Sequence, residues 1–167
     1  MDTQKNSLAF DSGWSYSPAP ESTDHIRVDD RYELFIGGEF VPPETGRYFE
    51  TINPANEKSL SSVALAGDAD VDKAIAAARR ASRSWLKTKP AERGKYNFRI
   101  ARMLQERARE FATIETLDGG KPIRESRDID IPLAAAHFFY YAGWADKLDY
   151  AFPGRQAKAL GVAGQII

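Results

Sequence analysis

The residues able to do covalent chemistry are sparse. The 167 residues hold no cysteine and two histidines, which excludes a thiol nucleophile, disulfides and thiolate metal sites within them. Serines and lysines are plentiful, but no Gly-x-Ser-x-Gly elbow and no Ser-x-x-Lys pattern is expected to make a nucleophile of one. No Gly-x-Gly-x-x-Gly run or P-loop is present. Gly161-Val-Ala-Gly164 precedes a strand pattern and no helix, so it reads as close backbone packing and not as a phosphate cradle. His137 lies on an apolar helical stripe, where a lone histidine reads as a packed core residue; His25 sits in a polar stretch with no partner pattern. The run Phe138 to Tyr141 with Trp144 reads as helix packing before it reads as a ligand box. Asp118 is the residue that asks for an explanation. It falls in the last turn of a predicted helix, where the macrodipole is negative and a carboxylate is disfavoured. A hard cation would relieve it. So would solvent, or Lys121 three residues on.

The elements that would position these residues follow from punctuation and period. Residues 1–30, rich in Ser, Pro and Asp, read as a mobile arm, and 31–167 as the folded part. Leu34-Phe-Ile-Gly-Gly-Glu-Phe-Val41 is a hairpin pattern turning at Gly37-Gly38. Tyr48 to Ile52 reads as a strand closed by the turn pair Asn53-Pro54, and Ser61 to Leu65 as a further strand. Asp68 is the expected N-cap of a first helix carrying Val71, Ile75, Ala78, Ser82 and Trp85 at helical spacing. Pro90 starts a second helix, where its missing N–H costs nothing. A break is expected near Arg109 and a stop at Gly119-Gly120. Asp130 is expected to cap a third long helix reaching Leu148, with Pro132 in its first turn. Its apolar stripe is wide enough for burial on more than one side. Leu160 to Ile167 reads as a buried strand.

Composition excludes several classes. Hydrophobic residues are 43% of the chain, enough for a core. The 23 basic and 24 acidic residues read as interspersed, with no basic stripe expected to bind nucleic acid. No apolar run approaches the roughly 20 residues that cross a bilayer, and the N-terminus has no secretory core segment. The expectation is a cytoplasmic protein with no nucleic-acid and no membrane partner.

Several segments occur together, in order: LFIGGEFV, Thr51-Ile-Asn-Pro-Ala-Asn, GDADVDKAIAAARRA, PAERGKY, ETLDGGKP, YYAGWADKL and LGVAGQII. From Leu34 to Ile167 the chain resembles the N-terminal region of the aldehyde dehydrogenase superfamily. The resemblance implies an α/β fold class: a strand hairpin, then helices, then the first strand of an incomplete dinucleotide-binding sheet. It implies NAD or NADP as cofactor, with Ile166 and Ile167 lining the cofactor crevice at the end of that strand. It implies a weak monovalent-cation site made by Asp118 and the backbone carbonyls of Thr51 and Ile52. The family's reaction is aldehyde oxidation to a carboxylic acid through a cysteine thiohemiacetal. Its nucleophilic cysteine, general-base glutamate and glycine-rich turn match nothing in this chain, so no catalytic residue is assigned and the chain alone is expected to be inactive. A homo-oligomer is implied, with a departure: only Leu148 to Ala159 separates YYAGWADK from the terminal strand, which is short for the family's intersubunit arm. Two other readings stand beside the enzyme fragment. One is a non-catalytic interaction module on the same scaffold; the other is a helical domain binding a small molecule on its aromatic face.

Overall fold

The computed structural model describes residues 22–155, 159 and 161–166. Strands β2 (Leu34–Ile36) and β3 (Glu39–Val41) form an antiparallel hairpin with Phe35 opposite Phe40. Gly37 and Gly38 both have positive φ, 69° and 98°, the conformation that a two-residue type I′ turn demands. Strands β4 (Tyr48–Asn53) and β5 (Lys58–Ala64) are antiparallel neighbours. The Asn53 side chain accepts the Ala55 N–H at 2.9 Å and its carbonyl accepts the Glu57 N–H at 2.8 Å, closing the turn between them. The short strand β1 (Arg31–Tyr32) adds in parallel to the other edge of β5, giving the order β1-β5-β4. Regular structure thus starts at Arg31, where the folded part was expected to begin. Its approach is tied down by Ser61 Oγ donating to the Asp29 carbonyl at 2.8 Å and the Ser62 N–H donating to that of Asp30 at 3.0 Å. Residues 1–21 of the expected arm lie outside the described residues.

Helix α1 spans Asp68–Trp85, but its N-cap is Gly67 and not the expected Asp68. The work falls to Asp70, the third helical residue. Its carboxylate reaches back to accept the Gly67 N–H at 2.9 Å and holds the Glu44 N–H at 3.1 and 3.2 Å, with only 2% of the residue exposed. This half of a capping box satisfies donors that the helix leaves orphaned. It also fastens the loop after the hairpin to the start of α1. Helix α2 (Pro90–Glu106) begins at its proline, and α3 (Ala108–Gly119) follows a break at Arg107, close to where the sequence predicted it. Gly120, with φ 72°, is the left-handed residue that ends α3.

The next helix departs from expectation. Asp130 caps nothing: its backbone is helical and its side chain makes no capping bond. The helical path already begins with α4 (Ile123–Glu125), widens into a π turn over Ser126–Asp130 and continues as α5 (Ile131–Trp144). Pro132 has no N–H to offer the preceding turn, and a π turn just ahead of it accommodates that gap. The helix ends at Trp144; Leu148 belongs to the separate short helix α6 (Leu148–Ala151).

The core sits where α2, α3 and α5 meet. Ala101, Ala112, Ile131 and Ala135 are buried there. Helices α2 and α5 cross closely because Gly94 has no side chain. A Cβ on it would lie 2.9 Å from the Ala142 carbonyl oxygen and 3.3 Å from Ala145 Cβ. Phe98 and Phe139 close the crossing edge to face, 5.1 Å between ring centres. Among the described residues nothing covers the other side of α5: Leu133, Tyr140 and Tyr141 are each more than half exposed. Burial on more than one side, read from the wide stripe, is therefore not what these residues achieve within this chain.

The terminal strand is the largest correction. Residues 161–166 lie outside any strand and are exposed. A central parallel strand owes its order to neighbours on both sides, and β1 to β5 are engaged with one another.

Candidate functional site

The expected cation corner lies where the end of α3 meets the end of β4. Gly120 abuts Pro54: a Cβ there would come within 2.7 Å of the proline ring. Pro54 directly follows the strand that carries Thr51 and Ile52. Because β4 is an edge strand, its outward backbone carbonyls are not consumed by β5. Asp118 is exposed in the last turn of α3, and it makes no ion pair or hydrogen bond among the described residues. Lys121, the alternative partner, is turned elsewhere. It forms an ion pair and hydrogen bond with Asp130, and lies 3.7 Å from Glu115. The Asp130 hydrogen bond holds the Lys121 ammonium above the usual lysine range.

The cofactor positions are not assembled. Ile166 is fully exposed, and Ile167 lies outside the described residues. The described residues do not make a dinucleotide site by themselves, so no step is derived through one.

Other clusters lack catalytic geometry. Ser84 and Lys87 do stand at Ser-x-x-Lys spacing, which corrects the expectation that the chain holds no such pattern. The Ser84 hydroxyl donates to the Ala81 carbonyl at 3.0 Å at an exposed helix end, with no base aimed at it. His137 is exposed, which corrects its reading as a core residue: among the described residues no element covers its side of α5. His25 does find a partner that its polar surroundings gave no hint of. Its Nε2 lies 3.4 Å from Thr113 Oγ1, and since that hydroxyl donates to the Arg109 carbonyl, the histidine nitrogen is the donor. Among the described residues no group of three His, Cys, Asp or Glu is arranged to hold a metal.

Open clefts are present among the described residues, three of the larger ones as follows. One of about 590 Å³ separates the hairpin from α1, lined by Phe35, Gly37, Ala74, Ala77 and Ala81. Two flank the α2–α5 crossing. That of about 380 Å³ is lined by Trp85, Tyr141, Trp144 and Leu148, and that of about 420 Å³ by Gly94, Phe98, Phe139 and Lys147.

A profile of the aldehyde dehydrogenase family matches residues 40–167. This chain belongs to the aldehyde dehydrogenase family. It is 41% identical over 145 residues to the putative aldehyde dehydrogenase DhaS of Bacillus subtilis, covering 81% of this chain and 29% of that one. It is 39% identical over 149 residues to acetaldehyde dehydrogenase 2 of Cupriavidus necator, with 82% and 29% covered. The structure superposes on an aldehyde dehydrogenase from Bacillus cereus solved in its NAD+ complex. There the TM-score is 0.70 at 39% identity, over 72% of this chain and 25% of that one. The chain thus spans about 30% of the length of the relatives it matches. The α/β fold class holds, as the N-terminal region of an aldehyde dehydrogenase. No helix of the described residues is long and apolar enough to cross a membrane.

Proposed function

We propose that this chain is the N-terminal part of an NAD(P)-dependent aldehyde dehydrogenase, and that by itself it oxidises no aldehyde. The observation that carries the reading is the family match over residues 40–167 in a chain without cysteine. The parent reaction would need a thiol nucleophile, a base and oxyanion donors in a dry site, and a bound nicotinamide would supply the hydride acceptor. These residues contribute scaffold to it. The exposed stripe of Leu133, Tyr140 and Tyr141 is where further parts of such an enzyme would seat. Ile166 and Ile167 would then line the NAD or NADP crevice once the terminal strand has neighbours. Asp118 with the Thr51 and Ile52 carbonyls would hold a weak monovalent cation that ties α3 to β4. The parent would act on a small-molecule aldehyde in the cytoplasm as a homo-oligomer, with a reduced arm contact.

The test is turnover. The purified chain is incubated with short and long aldehydes and either cofactor, and reduced cofactor is followed by absorbance. No signal is expected. Activity proportional to protein and abolished by heat would refute the reading. A transcript whose frame runs on past Ile167 into Pro-Trp-Asn, the segment that follows the matching strand in the family, supports the enzyme. A stop codon there favours an interaction module on the same scaffold.

A further inference from the structure

We propose that the corner between α1 and α2 is an adhesive surface for an anionic lipid membrane, independent of any aldehyde chemistry. Balanced overall charge conceals a local excess. Residues 74–91 hold Arg79, Arg80, Arg83, Lys87 and Lys89 and not one Asp or Glu. All five are exposed. None makes an ion pair among the described residues, whereas the cations on either side do: Lys73 with Glu44, Lys95 with Glu92, Arg102 with Glu106. Arg79, Arg83 and Lys87 follow at four-residue intervals and so form one line along the helix and its last turn. Leu86, seven residues after Arg79, falls on the same side and is 57% exposed.

The corner is rigid before anything binds. The N–H groups of Leu86, Lys87 and Thr88 are held by the carbonyls of Ser82, Ser84 and Trp85. Arg93 Nη1 donates to the Thr88 carbonyl at 2.6 Å, and Trp85 packs edge-on against Tyr96 at 5.3 Å. Basic residues at a helix C-terminus also complement the macrodipole, but that effect fades within the last turn. Arg79 and Arg80 lie further in. Nucleic acid fits less well. Trp85 and Tyr96 are also partly exposed here, 44% and 52%, but each is held edge-on by the other and leaves no open pair of ring faces for a base, while Leu86 stands free. A leucine ringed by cations enters lipid headgroups; it gives bases nothing to stack on. Peripheral adhesion of this kind needs no spanning helix.

The test is flotation of the whole chain with vesicles of equal parts phosphatidylglycerol and phosphatidylcholine, and with phosphatidylcholine alone. Binding to the anionic vesicles, weakened by salt, is expected. Each cation near such a surface is worth about a fivefold change in partitioning, so Arg79→Gln/Arg83→Gln/Lys87→Gln lowers it about a hundredfold. The control Arg47→Gln/Lys58→Gln/Arg124→Gln carries the same charge change away from the corner and leaves binding nearly intact. Circular dichroism checks that both variants keep the parent's helix content. Equal binding to phosphatidylcholine alone would mean that the exposed aromatic face, and not charge, does the adhering, and overturns the proposal. So does an equal loss in the control, a failure to float with either vesicle, or retention of a single-stranded oligonucleotide in place of vesicles.

Discussion

The crossing of α2 and α5 at Gly94 offers a sharp test of how the helices are held together. Gly94→Ala has two opposed effects. Replacing glycine inside a helix favours folding by about 1 kcal/mol. The new methyl, however, lies 2.9 Å from the Ala142 carbonyl oxygen and 3.3 Å from Ala145 Cβ. Ordinary carbon–oxygen contact begins near 3.3 Å, so the axes must part by about 0.4 Å, which also loosens the contact of Phe98 with Phe139. Overpacking of this kind costs about 1–3 kcal/mol. The obstacle is backbone, which cannot rotate away, so the upper half of that range applies. A net loss of about 1 kcal/mol is expected. Gly143→Ala is the internal control. It sits in α5 with nothing within 4 Å of its would-be Cβ, so only the helix-propensity gain of about 0.5–1 kcal/mol remains. The two variants should differ by about 2 kcal/mol, or about 4–8 °C in melting midpoint for a chain of this size. Urea and thermal unfolding followed by far-ultraviolet circular dichroism read the difference. If Gly94→Ala proves as stable as Gly143→Ala, the helices do not cross as described.

Asp70→Ala removes the acceptor for the Gly67 and Glu44 N–H groups at a buried position, and a loss of about 2–4 kcal/mol is expected from the donors left unpaired; the same unfolding measurements check it, and a change under 1 kcal/mol would show the loop is held otherwise. For the cation corner, replacing potassium by a bulky organic cation should lower the melting temperature, and Asp118→Ala should abolish that dependence; equal sensitivity in both proteins counts against the site. Acid sensitivity has a definite sign. Hydrogen bonds from Arg107, Arg127 and Lys147 hold Glu110, Asp128 and Asp146 below their usual range. Their stabilisation is complete above that range and is lost as the pH falls through the lowered folded values. Because all three are solvent-exposed pairs, the acid limb should flatten at high salt; an acid limb unchanged by salt would mean other groups govern it.

Local chemistry was legible in the sequence. The hairpin at Gly37-Gly38, the start of α2 at Pro90, the break observed at Arg107 and the stop at Gly120 each depend on the φ preference or missing N–H of one or two residues, or on short-range period. So did family membership, carried by ordered segments from Leu34 onward. Tertiary structure decided the rest. Gly67 and not Asp68 caps α1 because the Asp70 carboxylate is also claimed by Glu44, 26 residues back in the chain. Asp130 pairs with Lys121 and does not cap, and Asp118 has no partner among the described residues. The stripe of Tyr140, Tyr141 and Leu133 states that a helix has an apolar face, but whether anything covers that face is a property of other elements. The same holds for residues 161–166, whose strand pattern is intrinsic while pairing is not: a β-strand is completed by its neighbours, and no local preference can supply them.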